Sequence, residues 1–343
     1  MKNVFYIIYL LVFLGVSGCS NDDDYGPQNT VEEEEEELSR AIRKAFVLNE
    51  GNFMHGNASL DMYDLDYADL SRNVFESKNG KGLGDVAQSG FISGDTLAVV
   101  MNNSGKIVLI NTGDYTLIDE ITGLNSPRYV ALLPGGNWLV SELYHDQLTE
   151  INPHTKETVQ KYPLEGWSEE IHAVNESRVM VRNIDYKSLD LYDLSTSSVV
   201  KRGAPGEVSG VAFGEKAAFF VTSTYVGKWD YTAANHEVLF EFEDAQGARK
   251  PALTKENDVL YFLAGGVYRA VLTEKKEEKI FDGGGMNLYG LAVDPQTGDI
   301  FVTDAKDYTG RGTIYRLDGA GNEVDEKSAG IIPQAVVFYN AAQ

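Results

Sequence analysis

Cysteine occurs once in these 343 residues, at position 19, so no disulfide can form within the chain and the fold must rest on its apolar core. The mostly apolar stretch at 4–16 falls short of the roughly 20 residues that a membrane-spanning helix needs. Long segments with apolar residues every 3.6 positions are missing, so helix content is expected to be small. Positive charge is scarce: 29 Lys and Arg stand against 52 Asp and Glu, a formal charge of −23. Setting aside +1 in residues 1–19 and −8 in residues 20–40 leaves −16 on residues 41–343. Such a body repels phosphate backbones, which argues against nucleic acid as a partner, and gains nothing from anionic lipid. Also missing are a G-x-S-x-G elbow, histidines at zinc-ligand spacing and a phosphate-cradling Gly loop. The three glycines of "DGGGMN" (282–287) are not followed by Lys-Ser/Thr and read as a connection between strands.

What is present begins at the N-terminus. Lys2, the short apolar run and "GVSGCS" resemble a bacterial lipoprotein signal. The expectation is a signal peptide over 1–18, with cleavage before Cys19 and lipidation of its thiol. Residues 20–40, "SNDDDYGPQNTVEEEEEELSR", hold too little apolar surface to fold, so 19–40 is expected to be a lipidated cysteine with an acidic tether. Acidic residues just after a lipidated cysteine resemble the surface-export signal of one group of Gram-negative gut bacteria. That implies an outer-membrane, lipid-anchored protein exposed at the cell surface; a spacer facing the periplasm is the alternative.

Residues 41–343 repeat. "PRYVALLPGGNWLVSELYHDQLTEINPHTKETVQKYPL" (127–164) and "NLYGLAVDPQTGDIFVTDAKDYTGRGTIYRLDGAGNEVDEKS" (287–328) share one scheme. An apolar run, a turn, a second apolar run, a polar loop, an alternating strand, a turn and a fourth strand follow in order. The period of about 38–45 residues is that of four-stranded propeller blades. Residues 45–76 supply three strands and lack the first, while "IIPQAVVFYN" (331–340) looks like the missing inner one. The expected fold is therefore all-β: a seven-bladed propeller whose first blade is closed by the C-terminal strand, leaving no open sheet edge at the seam.

Naming the strands A to D from the centre outward, A-to-B and C-to-D turns share one face. They are short and rich in Gly, Pro, Asn and Asp, as at "LPGGN", "NTGD" and "DGAGN". B-to-C loops and D-to-A connections share the other face and carry different residues. "LNEGNFMHGN" (48–57) is far richer than the two residues a hairpin requires. Phe53, Tyr129, Tyr144, Trp167, Tyr186, Tyr225, Tyr289 and Tyr308 collect there with His55, His145, Asn49, Glu50, Asn102, Asn103, Arg128, Asp304 and Arg311. Rings beside adaptable amides suit a large ligand that is partly apolar and partly polar. Trp229, Tyr231, Tyr192 and Tyr315 lie in alternating strands and are expected between blades. His154 and His236 are expected in solvated turns on the far face.

The propeller repeat, the strands "LNEGNF…NASLDMYD" and the lipoprotein signal together resemble the YncE-like surface lipoproteins of gut bacteria, the family of the BtuG-type cobalamin-capture proteins. The resemblance covers about 45–340, with Asn49, Glu50 and Gly51 as the family's loop motif. It implies a binder and not an enzyme. The ligand would be cobalamin or another corrinoid, held as cargo and not as a cofactor, and the partner an outer-membrane TonB-dependent cobalamin transporter. His55 or His145 offers an axial nitrogen to cobalt; contacts through Asn without metal coordination are the alternative. A surface glycan or peptide binder using the same face remains open. So does a metal-dependent lactonase, since Glu50, Asn103, Asp185 and Asp304 share that face.

Overall fold

The structure is a computed structural model and describes residues 43–340. Cys19 and the segments expected to be a signal peptide (1–18) and an acidic tether (19–40) lie outside the described residues. The described residues form seven four-stranded antiparallel sheets, the expected seven-bladed propeller. Blades 2 to 7 run through the chain in order. Their inner strands are Ala87–Ser93, Pro127–Leu132, Ser168–Ala173, Gly210–Phe213, Arg249–Leu253 and Leu288–Val293. Blade 1 joins both ends of the fold. Its inner strand is Pro333–Asn340, paired antiparallel with Arg43–Asn49 from Lys44↔Tyr339 through Leu48↔Ala335.

The strand sequences explain the stacking. A blade is covered on both faces, so its middle strands read as continuous apolar runs instead of alternating ones. In "AFVL" (45–48), every residue is fully buried. Phe46 and Leu48 point into the cluster shared with blade 2, and Ala45 and Val47 into the one shared with blade 7. Seven apolar clusters fill the junctions. Trp229 and Tyr192 are fully buried and Tyr315 nearly so, as their alternating strands predict, while Tyr231 is half-buried.

The far face is built by one device used repeatedly. In six blades, the third strand ends on, or is followed directly by, an Asp or Asn whose side-chain oxygen accepts a backbone N–H two residues on. The acceptors are Asp64, Asn111, Asn152, Asp193, Asp230 and Asp318. His154 is exposed on this face, as expected. His236 is not a solvated turn residue. It lies in the strand Asn235–Glu241 and stacks on Trp229 at 5.5 Å, because its side of the strand faces the neighbouring blade.

One short helix, Val74–Asn79, lies between blades 1 and 2. The outer strand of blade 1 has only three residues, Asp69–Ser71, and the helix buries Val74 and Phe75 in the cluster between blades 1 and 2. Asn79 anchors it by donating to the Tyr115 carbonyl at 2.9 Å. Among the described residues, no helix is long and apolar enough to cross a membrane.

Candidate functional site

Six of the seven inner strands break register near the same end, where the chain enters from the D-to-A connections. In blades 3, 4, 6 and 7, two residues oppose one: Arg128–Tyr129, Glu169–Glu170, Lys250–Pro251 and Tyr289–Gly290. In blades 1 and 2, Gln334 and Gln88 are the extra residues. A β-bulge re-aims the side chain it carries. Here, the repeated bulge places amides, charges and phenols at the mouth of the central channel.

Cross-blade hydrogen bonds hold these bulges at six of the seven junctions, each donated by one blade to the next. Gln334 Nε2 donates to the Gln88 carbonyl (3.2 Å), and Ser89 Oγ to the Arg128 carbonyl (2.5 Å). Arg128 donates through Nε and Nη2 to Glu169 Oε1 (2.9 and 2.6 Å). Ser209 Oγ donates to the Ala248 carbonyl (2.5 Å), Arg249 Nη2 to the Leu288 carbonyl (2.9 Å) and Thr303 Oγ1 to the Pro333 carbonyl (2.6 Å). The approach to the mouth is strained as well. Val86 and Ile332, just before the inner strands of blades 2 and 1, have φ of 61° and 53°. That region is costly for β-branched side chains and such strain concentrates at functional sites.

Three carboxylates and three cations face one another there. Arg128 pairs with Glu169, and Arg182 with Glu170. Glu50 Oε2 accepts from the Tyr289 hydroxyl at 3.0 Å, and loss of water around it raises its carboxyl above the ordinary value. Lys250, with φ of 50° ahead of a proline, sends its ammonium across the channel towards Gln334 Oε1 at 3.5 Å. Its surface is only half-buried because it borders the channel, yet desolvation lowers its amine below the ordinary lysine value.

The sequence-predicted residues fall into three groups. Glu50, Arg128, Tyr129 and Tyr289 belong to the mouth. Phe53, His55, Tyr144, His145, Trp167, Tyr186, Tyr225, Tyr308 and Arg311 belong to the loop rim around it. Tyr144 meets Trp167 edge-on at 4.8 Å, Tyr308 meets Tyr289 at 5.7 Å, and the Arg202 guanidinium lies 3.6 Å above the Tyr186 ring. Asn103 lies in the same rim but donates to Asp85 at 2.6 Å. In the third group, Asn49, Asn102 and Asp304 are buried and engaged within the protein. Asn49 bridges Ser59 and the Gly330 N–H, Asn102 donates to the Pro127 carbonyl, and Asp304 accepts from the N–H groups of Asn287 and Lys306.

Sequence reasoning missed Lys250, Glu169, Glu170, Arg182, Gln88 and Gln334. The signal was present as adjacent non-alternating residues opening successive inner strands: "PRYV", "SEEI", "RKPA". Among the described residues, no three His, Cys, Asp or Glu side chains converge where they could hold a metal ion. Glu50, Asn103, Asp185 and Asp304 therefore share a face without sharing a site.

Several solved structures resemble this one, all at identities that speak to the fold alone. A quinonprotein alcohol dehydrogenase-like protein of Bacteroides thetaiotaomicron superimposes with a TM-score of 0.66 at 14% identity, over 88% of this chain and 79% of that one. Hydrazine synthase of Kuenenia stuttgartiensis gives 0.58 at 13%, over 74% and 91%. Apo AztD of Citrobacter koseri gives 0.55 at 13%, over 88% and 98%. No curated protein matches the sequence. Residues 44–330, nearly the whole propeller, match the family described as Domain of unknown function (DUF5074), and the chain belongs to that family.

Proposed function

We propose that this propeller is a ligand-capture lipoprotein of the outer membrane, displayed at the cell surface. It takes a corrinoid, cobalamin in the first instance, onto the B-to-C loop face and passes it to a TonB-dependent transporter. One observation carries the reading. Of the five exposed aromatic side chains among the described residues, Phe53, Tyr144, Tyr186 and Tyr308 rim the mouth, and only Tyr67 lies on the far face. Met54 and Met286 are exposed on the same rim. Clustered exposed rings on a soluble body mark a surface meant to be covered. A corrinoid is a broad disc with an apolar edge and amide arms. Rings suit its edge, and the Gln88 amide lining the mouth suits its arms.

Isothermal titration of cyanocobalamin into the purified protein tests the reading. Saturable heat and a red protein after desalting support it; neither heat nor colour sinks it. A peptide is the second reading, favoured by Lys250 and Glu50, one cation and one carboxylate at the mouth outside the two arginine pairs, which match a zwitterionic chain.

A further inference from the structure

Below the rim, a cavity of about 240 Å³ runs into the channel. Its walls change character with depth. Lys250, Gln88, Gln334 and Glu170 line the outer part, while Phe91, Val130, Val211, Leu291 and Val336 from the inner strands line the rest. Glu170 is occupied by Arg182, and Glu169 by Arg128. Among the described residues, Lys250 has no carboxylate within ion-pair distance; its ammonium contacts the Gln334 amide and lies 5.9 Å from the centre of the Tyr289 ring. An ammonium has three donors and only one is used here, while its nearest carboxylates, Glu169 and Glu170, are each already held by an arginine. The backbone holds it there in a left-handed conformation before a proline, where lysine gains nothing locally.

We propose that the channel is a binding site for a monocarboxylate with an apolar tail. The carboxylate rests on the Lys250 ammonium and the tail lies between the aliphatic side chains of the inner strands. A dianion such as phosphate fits less well, because Glu170 lines the same space and the nearby arginines are already paired. The volume admits about eight non-hydrogen atoms if each takes the roughly 30 Å³ of a water molecule. Hexanoate has that size. The site lies beneath the rings that the corrinoid reading uses and depends on the channel alone.

The test is isothermal titration of hexanoate into the full-length protein, with hexan-1-ol and hexylamine as controls. Hexanoate is expected to bind, hexylamine to give no heat, and hexanol to bind at least tenfold more weakly. Lys250→Gln should weaken hexanoate at least tenfold, and Lys250→Arg should retain most of the affinity. In the wild-type protein, nuclear Overhauser contacts should join the hexanoate methylenes to the Val130 and Val211 methyls, a readout that holds even if the glutamine variant misfolds. Equal binding of hexanol and hexanoate overturns the proposal, as does unchanged affinity in a folded Lys250→Gln protein, or no contact at about 10 mM ligand. Cyanocobalamin binding without hexanoate binding removes this inference and leaves the corrinoid reading; the reverse removes that reading and leaves this one.

Discussion

Replacing Arg128 with Met isolates the electrostatics of the mouth. Arg128 places two donors on one oxygen of Glu169, a residue with only 7% of its surface exposed. Two unit charges about 4 Å apart attract by roughly 4 kcal/mol at the effective dielectric of such a site. Removing one partner from a buried pair typically costs about 3–5 kcal/mol, because the other charge stays behind unpaired. Arg182 and Lys250 remain near Glu169 and offset part of that, so about 3 kcal/mol is expected. At roughly 2 °C per kcal/mol for a domain of this size, the melting temperature at pH 7.5 should fall by about 6 °C. Pairing Arg128→Met with Glu169→Gln removes the stranded charge and should recover more than half of the loss. Differential scanning calorimetry of the wild type and the two variants at pH 7.5 reads all of this. If Arg128→Met melts within about 1 °C of wild type, or the double variant recovers nothing, then the pair is not the buried, mutually dependent unit described here.

Glu50→Gln should raise stability at neutral pH. Burial lifts the folded-state carboxyl of Glu50 above 4.5, so wild-type stability from this group is full below that value and is lost as pH rises through the raised one; the gain should vanish in melts below pH 4.5. Trp229→Ala should cost about 3–5 kcal/mol in guanidinium denaturation, because the ring is fully buried between blades 4 and 5. Tyr144→Ala should leave the melting temperature unchanged, since the residue is 61% exposed, while on the proposed reading it weakens cyanocobalamin about tenfold in titration. Ending the chain before Ile331 removes the inner strand of blade 1 and should abolish the cooperative melt; an unchanged curve would contradict the closure.

Much of the architecture was legible because a blade is a local unit. Four strands, turn residues such as the "MYD", "LIN", "EIN" and "LYD" endings, and apolar runs recur at fixed distance in the sequence. The missing first strand and the spare last one pointed to the seam. The rim was legible too, since large rings in connections stand out against turns built from Gly, Asn and Asp. The mouth was not. A bulge is a property of pairing between strands, and Glu169–Glu170 or Arg249–Lys250 read in one dimension as ordinary polar residues before a strand. Nor could the sequence separate Asn49 and Asn102, which hold loops from inside, from amides left exposed. Asn49 accepts from Gly330, 281 positions away, and only the closed ring makes them neighbours. The helix Val74–Asn79 escaped because it is six residues long and starts at Asn73, whose side chain makes no capping hydrogen bond.

The seam also imposes an order of events on synthesis. Phe46 must wait for Val337, 291 positions later, before its strand gains a second neighbour. Until then, "AFVL" sits at a bare edge, able to pair with any passing strand of like character. Contacts between such distant parts of a chain form slowly. The strand Pro333–Asn340 therefore acts as the latch, and the vulnerable interval for misassembly spans the synthesis of everything between it and Arg43–Asn49.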